Sequence, residues 1–281
     1  MQPVEQSFKL AGVMGWPVAH SRSPTLHTYW IEQHRLNGAY VLLPVQPARL
    51  ADAVRGLAAL GFAGCNLTLP HKVAAMQWVD RVDPVAQRIG AINTIVVDAE
   101  GRTHGYNNDA FGFGQSLLER QPDWRADAGA ATVLGAGGAA RAVLGCLIDQ
   151  GAREVRLLNR TLGTAQQLAK AFGPAVRALP WEQRHEALRD CALLVNSTTQ
   201  GMHGQPPLDL ALDLLPRASL VSDLVYTPLQ TPLLAAARQR GNPVVDGLGM
   251  LLHQARPAFQ AWFGVMPEVT PELRRRVEAS L

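Results

Sequence analysis

The chain has 281 residues, 47% of them hydrophobic and 17% charged, which is enough apolar surface for a substantial core and a length best met by two medium-sized domains. Its formal net charge is only +3, and the basic residues are scattered rather than arrayed in a stripe with aromatics. That argues against nucleic acid as a partner and leaves a mildly basic surface that favours anionic ligands. No apolar run approaches the roughly 20 residues needed to cross a bilayer. The opening MQPVEQSFKL lacks a basic flank, a long apolar stretch and a small-residue cleavage site, so a cytoplasmic protein without membrane association is expected. Cys65, Cys146 and Cys191 are isolated in apolar segments, are odd in number and have no CxxC spacing. They read as reduced buried thiols, and neither they nor the unpaired histidines His20, His27, His71, His203 and His253 form a metal site.

In chain order, FKLAGVMG, AYVLLP, GCNLTL and TIVVD read as strands of the first third, separated by helical stretches such as PTLHTYWIEQHRL and ARLADAVRGLAALG. A junction falls around Asn107 to Gly112, where the polar YNND gives way to a helix from near Asp109 towards Arg120. Beyond it, ATVLGAG, EVRLLNR, ALLVNST, SLVSDLV and NPVVDG are again strand-like, each preceded by a helical segment. Gly247 to Phe263 is helical, and Thr270-Pro271 makes an N-cap and first-turn pair for a short last helix. The alternation predicts an α/β protein with two successive, largely parallel sheets.

The motif with the clearest mechanism is ATVLGAGGAARAVLGCLIDQG, where an apolar strand runs through Gly135, Ala136, Gly137, Gly138 and Ala139 directly into a helix. Glycines there allow a tight turn and let backbone N–H groups approach a pyrophosphate at the positive end of the helix. Ala140 replaces the third glycine of G-x-G-x-x-G, which the broader fingerprint allows. Taken alone, such a cluster is weak evidence, since a tight turn that binds nothing also carries one.

The next strand, VRLLNRT, tips the balance. An NAD-selective enzyme carries Asp or Glu at its end for the ribose 2′-hydroxyl, but this strand ends in Asn159, Arg160 and Thr161. The guanidinium of Arg160 suits a 2′-phosphate, and its neighbours add neutral donors, so NADP is the expected cofactor. The bland alternative for Arg160 is a solvated surface arginine.

Near the N-terminus, GVMGWPVAHSRSPTLH places Ser21 and Ser23 in a turn ending at Pro24. Two hydroxyls beside a helix start suit a carboxylate, although one serine serves as well as an N-cap. This string resembles the shikimate dehydrogenase family, whose first strand is followed by G-x-P-x-x-H-S-x-S-P-x-x-H. The resemblance continues in the family's order through GCNLTLPHK, GAINT, GYNNDAFGF, GAGGAAR, NRT, NSTTQGM, DLVYTPLQTPLL and DGLGMLLHQA, covering almost the whole chain.

The resemblance implies a substrate-binding domain of residues 1–108 plus 247–281, with a mainly parallel sheet. It implies a Rossmann-like doubly wound NADP domain of residues 109–246, with the C-terminal helices returning to the first domain and the active site in a cleft between the two. Ser21 and Ser23 would bind the substrate carboxylate, and Asn66, Thr68, Asn93 and Gln254 the ring hydroxyls, with Tyr226 lining the pocket. Alone, Asn93 reads equally as a turn residue and Gln254 as an exposed helix position. Thr198, Leu224, Gly247 and Met250 would border the cofactor. Lys72 and Asp109 would be the acid/base pair for reversible reduction of 3-dehydroshikimate to shikimate, with Asp109 holding the Lys72 ammonium. Lys72, following Pro70 at a helix start, would lie in a positive end field.

Three features depart from the family pattern. Thr28 stands where an Asn is common, and Asn108 where a Thr commonly precedes the motif Asp. Leu162-Gly163-Thr164 carries no second basic residue after NRT, which implies a looser 2′-phosphate clamp. Two rivals stay open: a dehydrogenase of quinate or a related hydroxylated ring acid, and an NADP-binding sensor without turnover. The sequence allows a monomer or a homodimer.

Overall fold

The structure, a computed structural model, describes residues 7–281. The first part of the segment read for a secretory signal, residues 1–6, lies outside the described residues. By internal contacts the chain forms two compact units, residues up to Asn108 with Gln254–Leu281, and Asp109–His253.

The first unit follows the order β1 (Lys9–Gly15), α1 (Ser23–Gln33), β2 (Gly38–Pro44), α2 (Leu50–Ala59), β3 (Phe62–Leu67), α3 (His71–Ala74), β4 (Arg81–Val82), α4 (Pro84–Ile89), β5 (Thr94–Val97) and β6 (Thr103–Tyr106). Its sheet has the order β2-β1-β3-β5-β6-β4. β1 runs parallel to β2 and β3, β4 runs parallel to β6, and β5 is antiparallel to both its neighbours. α1 starts at Ser23, one residue before the proline suited to open it. α2 buries Leu50, Val54 and Leu57, one stripe at helical spacing, in a core with Cys65, Leu67, Ile92 and Ile95.

β4 and β6 are not legible in the sequence as strands. β4 has only two residues, and THGY of β6 has no apolar alternation. What holds β6 is a hairpin from β5 closed by Asp98, whose carboxylate accepts from the Glu100 and Arg102 N–H groups.

The second unit runs α5 (Asp109–Arg120), β7 (Ala130–Leu134), α6 (Gly138–Asp149), β8 (Val155–Leu158), α7 (Leu162–Phe172), β9 (Val176–Leu179), β10 (Cys191–Asn196), β11 (Leu220–Asp223), α8 (Pro232–Arg240) and β12 (Val244–Val245). All of its strand pairs are parallel, in the order β12-β11-β10-β7-β8-β9. The chain winds outward from β7 to β9, returns to set β10 against β7, and winds the other way to β12. This is a doubly wound sheet whose direction switches between β7 and β10.

The expectation that a helical segment precedes every strand of this half is corrected at two places. β10 follows only two 3₁₀ turns, Trp181–Gln183 and Glu186–Leu188. β11 follows an irregular connection, residues 197–219, which Pro206, Pro207, Pro216, Gly201 and Gly204 keep from becoming helical. That connection still works as a packing layer, because Leu212 and Leu215 are buried in one cluster with α8 residues Leu233, Leu234 and Ala237, and Leu208, Leu210 and Leu214 are half-buried against it. β9 also escaped the sequence reading, since VRAL is half-exposed at the sheet edge.

α9 (Gly247–Phe263) contains the division, which falls between His253 and Gln254. α10 (Pro271–Glu278) is capped by Thr270, whose hydroxyl accepts from the Leu273 N–H. In the first unit, Trp262 donates its indole N–H to the Ile95 carbonyl at 3.0 Å. A Cβ on Gly64 would stand 2.0 Å from that carbonyl oxygen and 2.3 Å from the indole nitrogen, and Gly64 has φ +151°, so glycine is required. Among the described residues no helix is long and apolar enough to cross a membrane.

Candidate functional site

In the second unit the glycine turn lies at the switch point. Gly135 has φ +102°, and its N–H donates to the Leu158 carbonyl at the end of β8. A Cβ there would meet Ser197 Oγ at 2.8 Å and Thr198 Cγ2 at 3.0 Å, so the turn presses against the residues that follow β10. Ser197 holds the other side, its N–H and hydroxyl both donating to the Leu134 carbonyl. Gly137 caps α6, yet a Cβ at Gly137 or Gly138 would find nothing within 4 Å. Packing does not demand glycine at either position. The space before the helix N-terminus is a cradle that a Cβ would fill, and backbone N–H groups facing it suit a diphosphate. The residues therefore fit a dinucleotide. Ala136 and Ala139 are half-buried beside the turn, and Ala140 is fully buried where the helix meets the sheet.

Arg160 is exposed just beyond β8. Asn159 turns its amide N–H back to the Thr161 carbonyl, and Thr161 is the N-cap position of α7. The three residues thus form one polar turn at the same end of the sheet as the glycines. Gly247 packs directly on the chain after β11, where a Cβ would come within 2.3 Å of the Leu224 carbonyl oxygen. Met250 joins the core against which Leu224 and Ala136 pack. Tyr226 is half-buried two residues beyond Leu224.

A buried carboxylate braces this edge, and sequence reasoning missed it. Asp223, at the end of β11, accepts from Asn196 Nδ2 (2.9 Å), the Val225 N–H (3.1 Å) and the Thr231 hydroxyl (2.7 Å). Asn196 Oδ1 in turn accepts from the N–H and hydroxyl of Thr198. Burial raises the Asp223 carboxyl to about 6, the three donors opposing part of that rise. The available signal was an Asp and a Thr inside DLVYTPLQTPLL with no surface role.

In the first unit, Asn66, Asn93 and Gln254 come together in one buried network. Asn66 Nδ2 donates to the Asn93 carbonyl and to Thr94 Oγ1, both at 3.2 Å. Thr94 donates to Asn93 Oδ1 (2.9 Å), which also accepts the Asn108 N–H (2.8 Å). Asn93 Nδ2 donates to Gln254 Oε1 (3.1 Å). Gln254 is buried, which removes its reading as an exposed helix position. Asn108, where the family commonly has Thr, also donates its amide to Thr94 Oγ1 at 3.0 Å. Thr68 is half-buried after β3, and its methyl would stand 2.4 Å from a Cβ on Gly15. Ser21 is half-buried and accepts the Ser23 N–H at 3.3 Å, while Ser23 is buried and its hydroxyl contacts the Tyr40 phenol.

Lys72 is half-buried in α3, its carbonyl accepting the Ile92 N–H at 2.8 Å. α3 is only four residues long, so its aligned dipoles are few and the expected helix-end field at Lys72 is weak. Asp109 is buried as the first residue of α5, in the other compact unit. Cys65, Cys146 and Cys191 are free and buried, and burial pushes the Cys146 thiol up to about 12, so it is inert as a nucleophile.

A doubly wound parallel sheet with a glycine cradle at its switch point, joined in one chain to a unit lined with buried amides, defines an oxidoreductase-type dinucleotide-binding protein. Comparison with known proteins narrows this. The profile described as Shikimate dehydrogenase substrate binding domain matches residues 13–95, that of Shikimate / quinate 5-dehydrogenase residues 117–203, and that of Shikimate 5'-dehydrogenase C-terminal domain residues 247–271. Shikimate dehydrogenase (NADP(+)) of Paramagnetospirillum magneticum is 54% identical over 266 residues, 95% of this chain and 96% of that protein. Shikimate 5-dehydrogenase of Thermus thermophilus, solved with NADP(H) and shikimate, is 39% identical with a TM-score of 0.87, covering 97% of this chain and 100% of that one. Quinate dehydrogenase of Corynebacterium glutamicum, solved with NAD, is 30% identical with a TM-score of 0.90, covering 96% of this chain and 99% of that one. The chain belongs to the shikimate dehydrogenase family.

Proposed function

We propose that the protein catalyses the reversible NADPH-dependent reduction of 3-dehydroshikimate to shikimate. The observation that carries this reading is the buried network joining Asn66, Asn93 and Gln254, a concentration of amides that suits a polyhydroxylated ring acid and not a plain hydrophobic substrate. Ser21 and Ser23 bind the substrate carboxylate, Asn66, Thr68, Asn93 and Gln254 grip the ring hydroxyls, and Tyr226 lines the pocket.

The cradle of Gly135, Ala136, Gly137, Gly138 and Ala139 holds the dinucleotide diphosphate, and Asn159, Arg160 and Thr161 select the 2′-phosphate of NADP. Thr198, Leu224, Gly247 and Met250 border the rest of the cofactor. When bound, the cofactor supplies a hydride from C4 of its nicotinamide. Lys72 gives a proton to the substrate's ring oxygen in reduction and takes it back in oxidation, with Asp109 as its carboxylate partner in the acid/base pair. Both roles rest on the family motif.

A spectrophotometric assay with NADPH tests the proposal. The 3-dehydroshikimate reaction should exceed that with the quinate ketone by at least about tenfold in kcat/KM, one missing or added hydroxyl contact being worth that much. A preference for the quinate ketone would establish the second reading, which the likeness to the Corynebacterium enzyme keeps in play. No turnover with either ketone would favour a sensor. The reading places the enzyme in the cytoplasm as a monomer or homodimer, states that light scattering separates.

A further inference from the structure

Two backbone groups settle the polarity of the amide network. The Asn108 N–H can only donate, so the Asn93 amide presents its oxygen to it and its nitrogen to Gln254. The Asn93 carbonyl can only accept, so Asn66 presents its nitrogen there. The second Asn66 amide hydrogen goes to Thr94 Oγ1, which leaves the oxygen of Asn66 facing the Tyr40 phenol at 2.7 Å. Thr94 completes the circuit. Its oxygen accepts from Asn66 and Asn108 and its single hydrogen goes to Asn93, which fills the capacity of a hydroxyl.

Strand register explains the placement. Asn66 and Thr94 are direct partners of the antiparallel β3–β5 pair and share a face. Tyr40 lies opposite Ala11 on β1, and Asn66 opposite Val13 two residues along. The small Ala11 leaves room for the phenol to reach Asn66 on the next strand but one. The His27 ring stacks on Tyr40 with centroids 4.0 Å apart and planes within 5°, and Trp262 packs beside it at 6.1 Å, so the phenol is held in place. Neither ring nitrogen of His27 has a hydrogen-bond partner, and burial pushes its pKa down to about 3, the nearby Asn66 amide opposing part of this. The ring beside the phenol is therefore neutral.

We propose that Thr94 and Tyr40 are positioning residues for substrate recognition: together they fix the Asn66 amide so that it meets the substrate through its oxygen alone, selecting a ring hydroxyl and rejecting a carbonyl or ether there. Neither residue was singled out by the sequence. The proposal rests on the reading that Asn66 grips a ring hydroxyl, and Asn66→Ala tests that separately.

The experiment measures steady-state kinetics for 3-dehydroshikimate and for analogues in which each ring hydroxyl in turn is replaced by fluorine, which cannot donate. Wild type, Thr94→Val, Thr94→Ser, Tyr40→Phe and Asn66→Ala are compared, with melting temperature recorded for each. Thr94→Val and Tyr40→Phe should each raise the KM for 3-dehydroshikimate about tenfold, the worth of one misplaced buried hydrogen bond, with kcat within about threefold and the NADPH KM unmoved. Thr94→Ser should recover most of the loss. Both disabling variants should also shrink the penalty for one particular fluorinated analogue.

If Asn66→Ala raises KM but Thr94→Val and Tyr40→Phe leave both KM and the fluorine penalty unchanged, the proposal is overturned while the site reading stands. If Asn66→Ala leaves KM unchanged, the site reading itself fails and the proposal with it. A fall in kcat and a rise in both KM values in step with a lower melting temperature would reduce the two residues to structural parts and overturn it too. Should Thr94→Val not fold, Tyr40→Phe carries the same comparison.

Discussion

Replacing Asp223 by Asn removes a charge from the end of β11 while keeping its shape. The amide oxygen can still accept from Asn196 and the Val225 N–H, and its nitrogen meets a Thr231 hydroxyl able to turn and accept. The native carboxyl is raised from 3.8 to about 6, chiefly by burial. Below pH 3.8 it is protonated in the folded and unfolded chains alike, and above about 6 it is ionised in both. Between these values the folded chain binds more protons, so its stability falls as pH rises. At about 1.4 kcal/mol per pH unit the whole fall is about 3 kcal/mol, of which about 2 kcal/mol lies between about pH 4.5 and about pH 7.5. Asp223→Asn lacks this dependence. Urea unfolding of both proteins across that range, followed by circular dichroism, should show the variant gaining about 2 kcal/mol on the native protein as pH rises. A difference flat with pH would refute the reasoning by showing that its three donors balance its burial, and one in which the native protein gains would show that they outweigh it.

Lys72→Ala should lower kcat by orders of magnitude and leave the 3-dehydroshikimate KM within several-fold, as stopped assays with concentrated enzyme will show; kcat near the native value would remove Lys72 from proton transfer. Arg160→Gln should raise the NADPH KM by about tenfold or more while changing the NADH KM by less than about twofold, since only the 2′-phosphate loses its cation. Two glycine substitutions should separate a ligand cradle from a packing constraint. Gly137→Ala, into open space, should raise the NADPH KM at an unchanged melting temperature, because no protein atom lies within 4 Å of the new methyl. Gly64→Ala, into the Ile95 carbonyl and the Trp262 indole, should cost about 3 kcal/mol or more of stability, read as a drop in melting temperature.

The sequence disclosed best what rests on local chemistry. The strand, glycine turn and helix around Gly135, the helix from Asp109 to Arg120 and the Thr270 cap follow from propensity and capping, and all are present. Elements held by long-range pairing were not legible. β6 is a strand because β5 precedes it through a tight turn, and β9 because β8 lies beside it; neither THGY nor VRAL announces that alone. The stretch before β11 was expected to be helical and is not, yet leucines of residues 208–215 still pack into the core there, which only the tertiary fold reveals. In the candidate site, Asn66, Asn93 and Gln254 were named from the family's motifs. Thr94, Tyr40 and Asp223 were not: Thr94 and Asp223 lie inside the GAINT and DLVYTPLQTPLL strings, but each of the three acts through a partner distant in sequence.

The first compact unit is interrupted in sequence, and this sets an order of events during synthesis. Trp30 donates to the Glu268 carbonyl, 238 residues later, and Trp262 reaches back to Ile95 across 167. A growing chain that has just completed Asn108 therefore has the strands of its first sheet but lacks Phe259 and Trp262, which close its aromatic core. Asp109–His253, in contrast, contains its whole sheet and can settle as soon as it is made. The segment that arrives last in translation is the one that finishes what was begun first, so a chain cut short before Phe259 would carry a complete nucleotide-type fold and a first sheet whose aromatic core is incomplete.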